Sequence, residues 1–368
     1  MVGRQDAGNR KREEKHYRVF VLLCVLFHLC CMLSTVSRAE TVRSRAAVVM
    51  DASSGKVLYA KNPDLRCPPA STTKLMTAIL AVEHMKPESV VTVSKRAATV
   101  SPHKAGLREG DRVTVEELLY AALLGSANDA AVALAEAVAG SEERFVELMN
   151  GKAAAIGARD TRFINPHGLP GPGQFISASD LSRIMQYALR SPLLRQIIST
   201  RATEIETEGG RAIPLRNTNR LLWTDGDVIG GKTGYTRTAR HCFVCAAERS
   251  DDAVIVALLG SPSRNNLWRE SDRLLDRGFT VLQGGAEPVV YLAKAGGAAA
   301  AGFMAKKRKT RVEKSSRTKK TCVLTADRAG GSAKLACARK KGATYEKHRD
   351  KTKRYRVARK GISEKNKG

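Results

Sequence analysis

The spacing of apolar residues changes twice along the chain. Two short apolar runs, Ala46–Asp51 and 56–61, flank the turn-like residues 52–55 and predict a β-hairpin. Helical periodicity then dominates residues 71–198, with breaks at 101–111 and 165–174. Strand-like runs return at Val228–Thr236, 242–248 and 253–259, followed by a helix over 266–277. The pattern therefore predicts an α/β fold in which strands from both ends of the chain form one sheet and helices are inserted between them.

The N-terminus has the pattern of an export signal. A basic stretch that ends at Arg18 precedes an apolar run over residues 19–33, and Ser37-Arg38-Ala39 offers the small residues that signal peptidase requires. We therefore predict a signal peptide over residues 1–39 and an exported protein, in the periplasm or on the outer face of the cytoplasmic membrane. An uncleaved membrane anchor and a buried core helix are the alternatives.

The net charge of +27 is unevenly distributed. Residues 301–368 hold 24 Lys and Arg against 5 Asp and Glu, whereas residues 40–300 hold 32 against 28. We predict that residues 284–368 are a basic, low-complexity tail without a packed core. Such a tail suits an anionic membrane surface or wall polymers, and export argues against nucleic acid. A tail whose charge only keeps it solvated is the simpler alternative.

Three short motifs carry the candidate chemistry. In Ser71-Thr72-Thr73-Lys74 the serine and lysine are three residues apart, so on a helix they share one face. A serine hydroxyl needs a base to become a nucleophile, and a lysine serves only if burial or nearby cations lower its pKa. The apolar residues 75–80 predict that burial. Taken alone, the motif is more typical of a serine that caps an ordinary helix, with Lys74 solvated.

The other two motifs favour a catalytic serine over a capping serine. Ser126-Ala127-Asn128 follows an apolar helix that ends in glycine, and Lys232-Thr233-Gly234 lies in a glycine-rich strand that a peptide backbone can approach. Each alone fits a capping serine or a solvated lysine. Together and in this order, the three motifs indicate a serine acyl-transfer site.

With these motifs the chain resembles the low-molecular-mass penicillin-binding proteins, the serine-type D-alanyl-D-alanine carboxypeptidases. The likeness spans residues 46–279 and includes Asn165-Pro166-His167-Gly168-Leu169 and the stretches 110–119 and 217–222. It implies the β-lactamase and penicillin-binding transpeptidase-like sandwich, an α/β fold in which an antiparallel sheet has flanking helices and an inserted helical subdomain. The implied catalytic domain covers residues 40–283.

The resemblance also implies roles for single residues. Ser71 would be the acyl-ester nucleophile, Lys74 its proton acceptor and Ser126 a relay to the departing D-alanine. Asn128 would hold the substrate amide. The terminal carboxylate region would be bound by the strand residues Lys232, Thr233, Gly234 and Thr236. A second oxyanion donor is expected at Tyr235 or Thr236, and the carboxylate-anchoring arginine is left open between Arg264 and Arg269. No metal or cofactor is expected.

The implied reaction is removal of the terminal D-alanine from peptidoglycan stem pentapeptides through an acyl-enzyme, with β-lactam antibiotics as acylating inhibitors. No Glu-x-x-Leu-Asn run, which class A β-lactamases use for rapid deacylation, occurs between Asn128 and Lys232. We therefore expect slow hydrolysis of penicillin. D,D-endopeptidase action on cross-links and a penicillin-binding wall module without turnover are the alternatives.

The cysteines do not predict a metal site. Cys242 and Cys245 have C-x-x-C spacing, but they lie on a predicted strand, where neighbours three apart point to opposite faces. We interpret them as core residues. Whether Cys322 and Cys337 pair is left open.

Overall fold

The computed structural model describes residues 42–291, together with Arg18, Val21 and Leu22, which are helical. The rest of the predicted signal peptide and residues 292–368 of the predicted tail lie outside the described residues. Within the described part of the chain no helix is both long enough and apolar enough to cross a membrane.

A six-stranded sheet forms the centre of the described domain. Its strands lie in the order β10-β2-β1-β9-β8-β7, so both ends of the domain contribute to one sheet. Every pairing is antiparallel except that of β10 with β2. The strands are β1 (Ala46–Asp51), β2 (Val57–Lys61), β7 (Val228–Thr236), β8 (Arg240–Arg249), β9 (Asp252–Ser261) and β10 (Val289–Tyr291). Because β7 is an edge strand, one side of its backbone is free to pair with a peptide.

Helices and two pairs of short strands connect the two halves of the sheet. Strand β3 (Val90–Thr92) pairs with β4 (Arg112–Thr114) across an intervening helix, and β5 (Ala202–Glu206) pairs with β6 (Ala212–Arg216), so that each pair forms a separate two-stranded sheet. The helices are α1 (Lys74–His84), α2 (Lys95–Thr99), α3 (Val115–Leu123), α4 (Asn128–Ala139), α5 (Glu142–Ala155), α6 (Ala178–Ala188), α7 (Pro192–Ser199), α8 (Leu221–Thr224) and α9 (Arg264–Leu282).

Local sequence signals explain where several helices begin. Thr114 and Glu117 form a reciprocal capping box at the start of α3, and serines cap the first turns of α5, α6 and α9. Helix α4 differs, because Ala127 stands at its N-cap and makes no side-chain cap bond. The polar residues on either side of Ala127 are the serine and asparagine of the second motif.

The sheet separates two apolar layers. One layer packs β-strand side chains against α1, α3, α4 and α6, and the other packs them against α8 and α9. Cys242 belongs to the first layer and Cys245 to the second, and both are fully buried. The interpretation of this pair as core residues on opposite faces of a strand is confirmed.

The structure refines the predicted elements. The inserted segment is not purely helical, since β3 with β4 and β5 with β6 interrupt or follow its helices. Strand β2 begins at Val57, and α9 is longer than predicted at both ends. The sheet also continues beyond residue 283, where the tail was predicted to start, because β10 pairs with Tyr59, Ala60 and Lys61 of β2.

Candidate active site

Ser71 lies in a single 3-10 turn, Ala70–Thr73, that runs directly into α1. Ala70 takes a positive φ of 50°, and Pro69 precedes the turn. The turn thus bends sharply into the helix and places Ser71 at the helix N-terminus, where backbone N–H groups have no partner within the helix. These groups and the helix dipole favour negative charge at that position.

Lys74 lies beneath Ser71 with no exposed surface. Its Nζ is 3.2 Å from Ser71 Oγ, 2.6 Å from Asn128 Oδ1 and 2.9 Å from the carbonyl oxygen of His167. Desolvation, and after it the charge of Lys232, lowers the pKa of Lys74 well below its usual value. Burial therefore favours the neutral amine of Lys74 more than it would for an exposed lysine.

The three oxygen contacts of Lys74 distinguish Ser71 from the other two partners, because only Ser71 can also donate a hydrogen. Asn128 Oδ1 and the His167 carbonyl can only accept, so each takes a hydrogen of Lys74. In the structure Lys74 Nζ donates to Ser71 Oγ, and on loss of that hydrogen its lone pair would face the same hydroxyl. The surroundings of Lys74 hold its Nζ beside this one hydroxyl, and its role as the base stays a prediction.

Asn128 is fixed from both ends of its amide. Its Oδ1 accepts from Lys74, and its Nδ2 donates to the carbonyl of Pro102. The adjacent Asp129 is fully buried and accepts the N–H groups of residues 105, 106 and 107, which ties the 101–111 loop to α4. The second motif therefore orients the lysine of the first.

Lys232 lies on β7 and is also fully buried. Its Nζ is 3.0 Å from Ser126 Oγ and 3.1 Å from its neighbour's carbonyl oxygen, that of Thr233. Desolvation lowers the pKa of Lys232 to about 7. Ser126 has a positive φ of 61°, which turns it out of the preceding helix toward this amine.

Glycines allow the three motifs to meet. A Cβ added at Gly234 would come to 2.8 Å from the Ser71 nitrogen. Strand β7 can therefore lie this close to the nucleophile turn only because residue 234 has no side chain. Gly168 has a φ of +86°, and a Cβ added there would lie 1.8 Å from the carbonyl oxygen of Ala70, within the same turn. Both the backbone conformation and the space therefore require glycine at position 168.

A cleft of about 280 Å³ opens above the motifs. Ser71, Ser126, Thr233 and Gly234 line it, and its other walls are His103, Gly125, Thr218, Tyr235, His241, Arg264, Leu267 and Trp268. Lys74, Asn128 and Lys232 lie behind this lining. Among the described residues no cluster of three His, Cys, Asp or Glu is placed to hold a metal ion.

Comparison with known proteins identifies the family. Residues 33–263 match the S11 peptidase family, described as D-alanyl-D-alanine carboxypeptidase.

The chain belongs to the S11 peptidases.

The relatives and solved structures agree with this assignment. The chain is 38% identical over 254 residues to the D-alanyl-D-alanine carboxypeptidase DacC of Escherichia coli K12, which covers 66% of this chain but 62% of DacC. It is 32% identical over 242 residues to a D-alanyl-D-alanine endopeptidase of Pseudomonas aeruginosa, covering 64% of this chain and 77% of that protein. The Streptomyces K15 DD-transpeptidase structure superimposes with a TM-score of 0.63 at 29% identity, covering 66% of this chain and 98% of that one.

The predicted penicillin-binding transpeptidase-like fold is confirmed by this likeness. The structure of this S11 peptidase also brings Ser71, Lys74, Ser126, Asn128, Lys232, Thr233 and Gly234 together, as the motifs require. Thr236 lies beyond the lining of the cleft, and its hydroxyl instead accepts the N–H of Ala239 at 3.0 Å. Its part in substrate binding stays a prediction.

Other residues of the site were not predicted. The carbonyl of His167 binds Lys74, Thr218 Oγ1 lies 2.6 Å from Thr233 Oγ1, and the ring of His241 stacks on Tyr235 with centroids 4.5 Å apart. His167 and Thr218 fall within stretches that resemble the family, which was the available signal. Of the two arginine candidates, Arg264 lines the cleft, and Arg269 lies in a neighbouring groove.

Proposed function

We propose that this S11 peptidase is a serine D,D-carboxypeptidase that removes the terminal D-alanine of peptidoglycan stem pentapeptides. The observation that carries the proposal is the environment of Lys74, which is fully buried with its Nζ 3.2 Å from Ser71 Oγ and held there by Asn128 and the His167 carbonyl. This arrangement suits proton removal from a serine as it attacks a carbonyl. DacC, at 38% identity, is named for the same activity.

The proposed reaction has two steps. Ser71 Oγ attacks the carbonyl of the penultimate D-alanine while its proton passes to Lys74, and the peptide bond to the terminal D-alanine breaks. The leaving amine takes its proton from Ser126, and Lys232, whose Nζ lies 3.0 Å from that hydroxyl, replaces it. Water then hydrolyses the ester: Lys74 returns its proton to Ser71, and the proton that water loses restores Lys232. The Ser71 N–H, at the start of α1, and the N–H of Tyr235 would stabilise the oxyanion.

The cleft gives each end of the substrate a place. The free edge of β7 would pair with the peptide backbone in β fashion. Arg264, exposed in the wall of the cleft, would anchor the terminal carboxylate together with Thr233, which also lines the cleft. This choice between the two arginines is supported by the position of Arg269 outside the cleft.

The decisive experiment is mass spectrometry of a stem pentapeptide after incubation with the purified protein. We expect release of one D-alanine by the native chain and none by Ser71→Ala. Thr72→Ala is a matched control, because its hydroxyl bonds the Pro69 carbonyl and lies outside the cleft. Undiminished release by Ser71→Ala would overturn the assignment of the nucleophile.

β-Lactams should acylate Ser71 and leave slowly. The reason is the lack of a Glu-x-x-Leu-Asn run between the second and third motifs, which would otherwise position a hydrolytic water. Rapid turnover of a chromogenic cephalosporin would contradict this expectation and point to a β-lactamase.

Export and the basic C-terminal region belong to the same proposal. A peptidoglycan substrate lies outside the cytoplasmic membrane, which supports the signal peptide inferred from residues 1–39. Residues 301–368, with 24 Lys and Arg, would hold the enzyme near anionic lipid headgroups. The full-length protein should co-sediment with anionic vesicles much more than the protein truncated after residue 300. Equal co-sedimentation of the two proteins would show that the tail does not bind the membrane.

A further inference from the structure

A second threonine lies in contact with the third motif. Thr218 and Thr233 both line the cleft that contains Ser71, and their Oγ1 atoms are 2.6 Å apart. Within residues 42–291 this is the only hydrogen bond that either hydroxyl makes. Thr233 is the residue to which the proposed function gives the terminal carboxylate of the substrate. The hydroxyl of Thr218 is therefore one contact away from the expected position of that carboxylate.

The backbone around Thr218 is held in place by its two neighbours. Asn217 is buried, and its Nδ2 donates to the Thr200 carbonyl at 2.9 Å. Asn219 is fully buried, and its N–H donates to Asn217 Oδ1 at 2.9 Å. The N–H of Thr218 itself donates to the carbonyl of Leu124 at 3.3 Å. These bonds fix the backbone position from which the Thr218 hydroxyl reaches Thr233.

Thr218 connects the segments that carry the second and third motifs. Leu124, which accepts its N–H, lies two residues before Ser126, and Thr233, which its hydroxyl contacts, follows Lys232. Lys232 Nζ in turn donates to Ser126 Oγ at 3.0 Å. The two segments are thus joined twice, once by the buried lysine and once by Thr218 in the lining of the cleft. This position suits a residue that orients one motif relative to the other.

The two threonine hydroxyls together hold two hydrogens, and their mutual hydrogen bond uses one of them. The other hydrogen stays available to a ligand in the cleft. A carboxylate only accepts hydrogen bonds, so Thr233 can bind one only by donating its single hydrogen. That hydrogen is free only when Thr218 donates to Thr233, and accepting this bond also makes the Thr233 hydroxyl a stronger donor.

We propose that Thr218 is a positioning residue that donates to Thr233 and thereby turns the Thr233 hydrogen toward the terminal carboxylate of the substrate. This rests on the proposed function, because it assigns that carboxylate to Thr233. Thr218 acts through Thr233 and needs no contact with the substrate. Without Thr218 the Thr233 hydroxyl rotates freely, so carboxylate binding is weakened and not abolished.

A double-mutant cycle on the full chain tests this role. Two rates are measured, namely kcat/KM for D-alanine release from a stem pentapeptide and the second-order rate of Ser71 labelling by a fluorescent penicillin, which also carries a carboxylate. We expect both rates to fall about 10-fold in Thr218→Val and about 30-fold in Thr233→Val. In Thr218→Val/Thr233→Val the loss should stay at about 30-fold, because no hydroxyl is then left to orient. Thr218→Ser, which keeps the hydroxyl, should recover most of both native rates.

The matched control is Thr224→Val, which makes the same substitution at an exposed threonine outside the cleft. It should leave both rates unchanged. A double variant that loses the product of the two single losses would overturn the proposal, since a threonine that only supports the fold acts independently of the Thr233 hydroxyl. A larger loss in Thr218→Val than in Thr233→Val would also overturn it, because Thr218 would then bind the carboxylate itself. If the native chain is labelled by penicillin but releases no D-alanine, the proposed function fails, and the labelling rates still test Thr218.

Discussion

Gly234 of the edge strand lies against the backbone nitrogen of Ser71, with room for a hydrogen but not for a methyl group. A Cβ at this position would be 2.8 Å from Ser71 N and 3.1 Å from Thr72 N. The atoms in conflict are backbone atoms of the nucleophile turn, which cannot rotate away. The separation of β7 from that turn, and with it the position of both oxyanion donors, therefore depends on this glycine.

We predict that Gly234→Ala lowers the rate of Ser71 acylation by about 100-fold, since displacement of one oxyanion donor costs that much or more. The measurement is the second-order rate of labelling by a fluorescent penicillin. Gly226→Ala is the control, because a Cβ there meets no atom within 4 Å. Normal labelling of Gly234→Ala would mean that the strand is not held at this distance.

The two buried lysines predict a bell-shaped pH dependence. Acylation needs Lys74 without its proton, so the rate should fall on acidification through the strongly lowered pKa of Lys74. It should fall again above about pH 7, where Lys232, with a pKa of about 7, loses the charge that faces Ser126 and the substrate carboxylate. The rate of D-alanine release across this range provides the measurement.

A variant separates the two limbs. Lys232→Arg keeps a cation at all these pH values, so its profile should lack the alkaline limb whatever its absolute rate. An alkaline limb that persists unchanged in Lys232→Arg would assign that limb to another group.

Lys232 should also make stability depend on pH. Its folded pKa of about 7 is below its ordinary value of 10.5, so between these values the unfolded chain binds a proton that the folded chain does not. The free energy of unfolding attributable to this residue therefore rises with pH over that interval. The measurement is chemical denaturation of the native chain and of Lys232→Met at several pH values. The free energy of unfolding of the native chain minus that of Lys232→Met should increase with pH. A difference that does not change with pH would contradict the lowered pKa.

The sequence predicted what depends on side-chain identity and missed what depends on the backbone. Ser71, Lys74 and Ser126 could be found because their chemistry requires those residue types at those spacings. The His167 carbonyl, which fixes one hydrogen of Lys74, could not, because any residue supplies a carbonyl. The same limit applies to β10, whose three residues are too short for a periodic signal and join the sheet only by pairing with β2.

The groove next to the catalytic cleft, which Arg216 and Arg264 line, was missed for a related reason. Arg216, at the end of β6, and Arg264, at the start of α9, are 48 positions apart in the sequence, and only the fold brings them to one surface. A hydrophobic pattern predicts that packing in outline but not which exposed side chains it places together. For this reason Arg264 and Arg269 could not be separated before the structure located the cleft.

Glu270 ties the start of the described domain to its last helix. This buried carboxylate accepts the N–H groups of Arg43 and Ser44 and the Ser44 hydroxyl, the last at 2.5 Å. Glu270→Ala would leave buried donors without a partner and should lower the free energy of unfolding by about 2–4 kcal/mol. Glu270→Gln keeps one acceptor oxygen and should lose less stability. Glu88→Gln, at an exposed carboxylate, is the control and should change the free energy of unfolding little.

The activity of the same variant provides a second check. Because Glu270 lies outside the cleft, penicillin labelling of the folded Glu270→Ala protein should stay normal. If Glu270→Ala lost penicillin labelling but kept its stability, Glu270 would instead affect the reactivity of Ser71.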